Sequence, residues 1–420
     1  MINFVSTFPP IMCGIGTYTK YLVSQMPLEV WRVTSFDLDG FFRLPEETFN
    51  FGERVSYQLS LTDPRLPSPL KEKVIWFEHA FGIWGKDPLY FLRFLEDAKK
   101  RNKKVVASFH TIHFQSPETE AGMQKKEHDL LTEALPLLDA LTVFTRGTYQ
   151  AVTEAFPQYQ KKVVILRHGV HLYPSIEQGE AKNKLLEYLI NEPDILSQKK
   201  KELKKIYAHF LSPKTVILGN LGFITADKAP SDLYRLRQLV QKKLPQYRII
   251  SLIIGKIQLR KDKKIEKSLP ILQKLKSLHN GKKNLFFEHY ISEEFLSLAF
   301  KALDFSVFWC NNATQSGRMS HAQGIGACII GRKKEGIGET LKLSGLPAGE
   351  TLEELAEIIQ KLTLNPERKK EVEISGRNYA RRYFYGVQAG KHLLLAKSLL
   401  ANQSLPPLDG ISLVNRARRI

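Results

Sequence analysis

The stretch "STFPPIMCGIGTYTKYL", residues 6–22, sets two glycines between a strand-like run and a helix-like one. "MINFVSTF" is apolar until Ser and Pro interrupt it, and "TYTKYLVSQM" spaces Tyr18, Tyr21, Leu22 and Gln25 along one helical face. Gly14 and Gly16 let the backbone approach a ligand closely, Thr17 offers a hydroxyl, and the free N–H groups of the following helix favour an anion. The same residues also make a tight strand-to-helix turn with no ligand. Other reactive side chains stand where apolar runs end. Glu78 and His79 close "KVIWFEH", His110 closes "KKVVASFHT", and Lys228 follows "TVILGNLG". Ser316 and Gly317 precede a helix-like run, whose first backbone N–H groups suit a phosphate or a hydroxyl. Each has a plainer reading: a histidine packed in a core, a surface lysine among many, a glutamate that caps a helix.

The elements that must position these residues alternate. Short apolar runs at 73–79, 103–111, 140–145 and 162–170 are each separated by helical spacing, and the alternation restarts at 215–222, 247–255, 284–290, 305–310 and 326–331. That pattern predicts an α/β protein of two successive doubly wound parallel sheets, with a boundary near residue 172. Between the series lies a lysine-rich helical stretch, about 178–208, with a poor apolar face. Residues 352–363 and 366–402 read as helices. In such folds ligands bind outside the carboxyl ends of the strands, where these residues fall.

Composition narrows the class. A chain of 420 residues is too long for one ordinary core, and 43% hydrophobic with 25% charged residues describes a globular protein. No run of about 18 apolar residues occurs, and no basic region with a cleavage site opens the chain. Cys13, Cys310 and Cys328 are odd in number and in no metal spacing, which fits a reducing cytoplasm. The 62 Lys+Arg against 43 Asp+Glu give +19, with patches at 99–104, 199–205 and 260–264. Such a surface suits nucleic acid, an anionic membrane, a charged substrate, or simply solvent. Without zinc spacing or an aromatic-rich RNA-binding signature, no nucleic-acid partner is expected.

The order of motifs resembles the GT-B glycosyltransferases and, within them, the large retaining family 4. "STFPPIMCGIGTYTKYL" is similar to that family's opening strand, glycine loop and first helix. "FEHAFGIWG" (77–85) is similar to a Gln-His-Glu-Phe-Gly-Ile-Phe-Gly segment of one branch, "SFHTIH" (108–113) to a His-Thr ending a later strand, and "ILRHGV" (165–170) to an Ile-Pro-His-Gly-Val closing the first domain. "GNLGFITADKAP" (219–230) resembles the opening of the second domain, "QSGRMSHAQGIGACIIG" (315–331) a Gln-x-Ser-Gly segment, and "RNYARRYFYGVQAGKHLLLAKSLL" the closing helix. The resemblance implies an acceptor-side domain over 1–172, a nucleotide-sugar-binding domain over 173–385, a crossover helix over 386–404 returning to the first domain, and a basic tail over 405–420. It further implies cytoplasmic, metal-independent transfer of a sugar in an interdomain cleft, from a nucleotide sugar to a glycan, lipid-linked or small-molecule acceptor. No cofactor is implied, and peripheral contact with an anionic membrane is.

By the same resemblance Lys228 clamps the donor phosphates and His110 reaches a sugar hydroxyl, and these two are the catalytic candidates. Gly14, Gly16, Thr17, Glu78, His79, Gln315, Ser316, Gly317, Arg318, His321 and Glu339 are the candidate donor- or substrate-binding residues. His168 is placed at the hinge. The chain departs from the family pattern at three points. "FITAD" lacks the arginine that usually precedes the lysine, leaving Arg318 or Lys256 to supply the second charge. The two glutamates usual at eight-residue spacing are replaced by Ala313 and His321. Glu339 either binds ribose or caps "ETLKL". A binding or scaffold protein on a degenerate GT-B domain is therefore the alternative. A dehydrogenase is disfavoured because no Gly-x-Gly-x-x-Gly follows the first strand.

Overall fold

The computed structural model describes residues 2–39, 41, 43, 51–84, 87–101, 103–257 and 265–410. The lysine patch at 260–264 and the last ten residues of the basic tail lie outside them. The chain divides into two compact units, Met1–Gly169 with Tyr383–Ile420, and Val170–Arg382.

Unit 1 is built on a seven-stranded parallel sheet in the order β3-β2-β1-β4-β5-β6-β7. The strands are β1 (Ile2–Val5), β2 (Trp31–Phe36), β3 (Val55–Leu59), β4 (Val74–His79), β5 (Lys104–Phe109), β6 (Ala140–Val143) and β7 (Val163–Ile165). Its helices are α1 (Gly14–Val23), α2 (Pro88–Lys100), α3 (Lys125–Leu137) and α4 (Arg146–Ala155). The strands are apolar along nearly their whole length because the sheet is covered on both faces. One face packs Phe77, Phe91, Phe94, Phe109 and Leu131, the other Phe4, Trp31, Trp76, Val106 and Leu22. β2 and β3 escape the sequence pattern, since "WRVTSF" and "VSYQL" carry too many polar residues to stand out.

In unit 2, α5 (Gln178–Asn191) and α6 (Ser197–Leu211) precede the sheet. The strands are β8 (Thr215–Leu221), β9 (Arg248–Ile254), β10 (Asn284–Phe287), β11 (Phe305–Phe308), β12 (Ile329–Arg332) and β13 (Ala348–Gly349), in the parallel order β10-β9-β8-β11-β12-β13. Helices α7 (Asp232–Lys243), α8 (Ile265–Leu278), α9 (Glu293–Ala302), α10 (Gly317–Ile325), α11 (Glu335–Leu343), α12 (Leu352–Leu364) and α13 (Pro366–Tyr383) connect and close it. The apolar face of the lysine-rich stretch is better than its sequence suggests. Leu185, Leu186 and Leu189 of α5 and Leu203, Ile206 and Phe210 of α6 are buried in the unit's single core, while Lys182 turns inward to Asp304 and Lys199 to the Phe286 carbonyl.

The run 366–402 is two helices, not one. Phe384 adopts φ −61° and ψ 157°, which ends α13 and opens α14 (Tyr385–Leu400). α14 packs against unit 1 through Tyr385, Ala389, Leu395, Ala396 and Leu399. Beyond it, Asp409 takes Arg167 in a bidentate pair at 2.7 and 2.9 Å. Among the described residues no helix is long and apolar enough to cross a membrane.

Candidate functional site

Each sheet has one point where the chain turns from building outward on one side to building on the other. In unit 1 it lies between β1 and β4, in unit 2 between β8 and β11. Connections leave such a point in opposite directions and open a crevice at the strands' carboxyl ends. Several candidate residues of each unit lie near it, and His79 and Glu339 do not.

In unit 1 the glycines belong to the helix and not to a loop before it. α1 starts at Gly14, with Cys13 as an N-cap that makes no side-chain capping bond. A Cβ on Gly16 would lie 3.0 Å from the Thr7 carbonyl and 3.1 Å from the Phe8 nitrogen, so this glycine lets α1 sit on the backbone after β1. A Cβ on Gly14 would meet nothing within 4 Å. The close approach is therefore internal at Gly16 and open at Gly14. Thr17 is half-buried, its N–H donating to the Cys13 carbonyl at 3.0 Å.

Alternation along β4 and β5 puts Trp76, Glu78, Ser108 and His110 on the face covered by α1 and α14. His110 Nε2 and Glu78 Oε2 are 2.7 Å apart, and both side chains are enclosed. Ser108 Oγ accepts from Trp76 Nε1 at 2.7 Å and from Thr142 Oγ1 at 2.8 Å. Burial pushes the Glu78 carboxyl well up, against the Ser108 hydroxyl that favours its charged form. Burial likewise pushes His110 down to about 3. Both groups are thus held toward their uncharged forms. His110 also packs edge-on against Tyr18 and against Phe144, so its side chain is turned into the unit and not outward. The Tyr18 hydroxyl and Glu78 Oε1 are enclosed with no hydrogen-bond partner.

His79 points to the opposite face, among Phe81, Phe91 and Phe109, with ring centroids 4.3–5.0 Å away. Burial lowers it to about 3, and it is a core residue. His168 donates from Nδ1 to the Gly169 carbonyl at 2.7 Å and lies against Tyr18. Three residues that the sequence did not single out complete this cluster. Tyr385, Gln388 and His392 share a face of α14; His392 stacks on Trp76 at 4.6 Å, and neither polar atom of the buried Gln388 amide is paired. Their signal was polar residues at helical spacing within an otherwise apolar helix.

Unit 2 assembles a different site. Lys228 lies in the turn after β8 and donates from Nζ to the Phe223 carbonyl at 2.9 Å. Arg318, in the first turn of α10, donates from Nη1 to Asn220 Oδ1 at 2.7 Å and to the Leu221 carbonyl, with its guanidinium over the Phe308 ring. Burial, and then Arg318 beside it, push Lys228 well below the ordinary lysine value, while Cys310 and Asp227 oppose this. Burial also lowers Arg318. Both are half-buried, and among the described residues neither forms an ion pair with a carboxylate. Arg318 lies beside Lys228, whereas Lys256 is exposed.

Gly222 makes room for this arrangement. Its φ is +101°, and a Cβ there would lie 2.6 Å from Arg318 Cδ. Ser316 caps α10 through Oγ, which accepts from the Met319 N–H at 3.4 Å, and a Cβ on Gly317 would meet nothing within 4 Å. The buried Gln315 Oε1 has no partner. Arg332, over Trp309 at 4.6 Å, donates to Asn311 Oδ1 at 2.8 Å and adds a third cation near Cys310. His321 takes the Tyr173 hydroxyl at Nδ1, 2.6 Å away, and stacks on His171 at 4.0 Å. Glu339 lies inside α11, whose first-turn acid is Glu335, so it does not cap that helix.

These two sheets and their switch points are those of the GT-B fold. The chain is similar to the crystal structure of Anabaena HepE in complex with UDP-glucose (TM-score 0.66, 11% identity, 96% of this chain and 100% of that one). It is likewise similar to an α,α-trehalose 6-phosphate synthase from Burkholderia multivorans (0.67, 11%, 96% and 97%) and to the trehalose-6-phosphate synthase OtsA (0.65, 11%, 98% and 99%). No family model and no curated protein sequence matches it.

Proposed function

We propose that the protein transfers a sugar from a nucleoside diphosphate-sugar donor, with unit 2 holding the donor and unit 1 the acceptor. The observation that carries this reading is the Lys228–Arg318 pair. Two adjacent cations raise each other's energy, and among the described residues carbonyls, an asparagine, Cys310 and Asp227 offset the repulsion without a direct carboxylate pair. A diphosphate supplies the missing counter-charge, and the open start of α10 adds backbone N–H donors. That HepE was crystallised with UDP-glucose supports a donor of this class.

Departure of the sugar leaves negative charge on the diphosphate, so cations fixed beforehand stabilise the transition state more than the ground state. We assign that work to Lys228 and Arg318. By the resemblance in sequence we take the transfer to be metal-independent and of the retaining kind that family 4 exemplifies, with the leaving phosphate assisting attack on the same face. Gln315, Ser316 and Gly317 contact the sugar or phosphates. The acceptor is a glycan, a lipid-linked or a small hydroxyl compound, and the basic surface rests on an anionic membrane at the cytoplasmic face.

The test is a thermal-shift panel with UDP, GDP, ADP and their common sugar conjugates. A nucleotide at a hundred times its dissociation constant stabilises the fold by about 2.7 kcal/mol, enough to raise the melting temperature by several degrees. The expected result is a shift with one base that Lys228→Ala removes. No shift with any of them overturns the reading. A shift without nucleoside diphosphate release in the presence of candidate acceptors favours the scaffold alternative, which the inward-turned His110 and Glu78 also suit.

A further inference from the structure

A second group of side chains in unit 2 has ligand-binding chemistry that sugar transfer does not use. Glu192 and Asp194 follow the end of α5, and His289 follows β10. One ligand atom of each, two carboxylate oxygens and a ring nitrogen, all lie within 4.8 Å of one another. The His289 ring is only 4% exposed. Its Nε2 lies 2.6 Å from the Tyr188 hydroxyl and 3.9 Å from Glu192 Oε2, while its buried Nδ1 has no hydrogen-bond partner. The nitrogen shown toward Glu192 is Nε2, which the Tyr188 hydroxyl also meets, so an ion bound there shares or displaces that contact.

The surroundings favour a cation. The carbonyl end of α5 carries partial negative charge, which adds to Glu192 and Asp194 in a chain that is otherwise strongly basic. Tyr188, stacked on Phe295 with centroids 4.2 Å apart, fixes the imidazole's orientation.

We propose that Glu192, Asp194 and His289 bind one divalent transition cation, with zinc the best fit. One imidazole nitrogen and two carboxylate oxygens at about 2.0–2.2 Å suit zinc, with water in the fourth position. Calcium prefers six to eight oxygens and suits the set poorly. Side-chain rotation brings the ligand atoms from their present spacing to the ~3.4 Å of a tetrahedral shell. The ion ties the end of α5 to the segment after β10. There Tyr290 packs on Phe223, whose carbonyl takes Lys228. Its work is to brace that loop, not to carry the transfer.

The experiment is calorimetric titration of the metal-free full-length protein with zinc chloride at pH 7.5, beside the Glu192→Gln/Asp194→Asn double variant. These are surface substitutions, and an unchanged circular dichroism spectrum checks the fold. One site per chain, weakened at least tenfold in the double variant, is the expected result. Zinc bound equally well by the variant, or not bound by the wild type, overturns the proposal. Nucleotide binding is read separately with the metal removed, so failure here leaves the donor site untouched.

Discussion

At the strand ends of unit 1 and on the α14 face beside them, a glutamate and three histidines are enclosed and pressed toward their neutral forms, whereas in unit 2 a lysine and an arginine stay half-exposed and side by side. Both groups occupy the switch point of a parallel sheet, yet their environments do opposite things. Unit 1 removes charge by burial and encloses its polar atoms, several of them unpaired. Unit 2 keeps charge and leaves it without a carboxylate to pair with. The first arrangement is enclosed; the second has the charge that the proposed diphosphate donor would balance.

Acid breaks the comparison most forcefully. His79, His110 and His392 are each at most 2% exposed, and burial pushes them to about 3, about 3 and about 4. An unfolded chain protonates histidine near pH 6.5, before the folded one does. Stability is therefore full above about pH 6.5 and falls below it, by up to about 1.4 kcal/mol per pH unit for each ring until the folded values are reached. Glu78, with its value raised, acts in the opposite sense, one carboxyl against three imidazoles. In unit 2 burial also lowers His289, but Glu192 and Asp194 resist it. Three of the four tryptophans, Trp31, Trp76 and Trp84, lie in unit 1. Tryptophan fluorescence is expected to change at a higher pH than far-ultraviolet circular dichroism, and coincident transitions would refute unequal acid sensitivity.

Lys228→Met and Arg318→Met sharpen the contrast from the other side. Each removes a charge-assisted contact to phosphate, worth about 1.5–3 kcal/mol, or roughly 10- to 150-fold in affinity by isothermal titration. The ligand-free melting temperature of Lys228→Met is expected to hold steady or rise, because a repulsive neighbour is gone. A variant that melts early yet binds normally would show the pair to be structural.

His110→Ala is the converse case. It strands the enclosed Glu78 carboxyl, costing about 1–3 kcal/mol and several degrees of melting temperature, with nucleotide affinity unchanged. If affinity falls and stability does not, His110 faces the ligand after all. The smallest effect is expected at Gly222→Ala. The left-handed backbone and the crowded Arg318 stem together cost about 1–2 kcal/mol, with a partial loss of nucleotide affinity measurable in the same titration.

Much of this was legible in the chain itself. Runs such as "TVILGNL" and "RIISLII" are apolar throughout because parallel strands are buried on both faces, so both sheets could be read from them. Lys228, Gln315, Ser316 and Arg318 could be placed because they follow strands directly. Less legible were features that depend on which way a side chain turns. His79 and His110 both stand near strand ends in the sequence, and pleating sends them to opposite faces. The contribution of α14 was hidden as well, since Gln388 and His392 meet Glu78's neighbourhood across hundreds of residues of chain. Of the two roles read for Glu339, capping is removed because α11 begins at Glu335, which has φ +45°, a conformation unusual for a residue other than glycine.

The fit of Gly222 against Arg318 also constrains how such a chain can change over generations. Any side chain at position 222 would displace the arginine's stem, so replacing the glycine first would impair the cation pair at once. Losing the arginine first removes that clash without harming the glycine, which its backbone at φ +101° still favours. The two positions therefore have a preferred order of mutation. Among descendants of this sequence, glycine without arginine should be a common combination, and arginine without glycine a rare one.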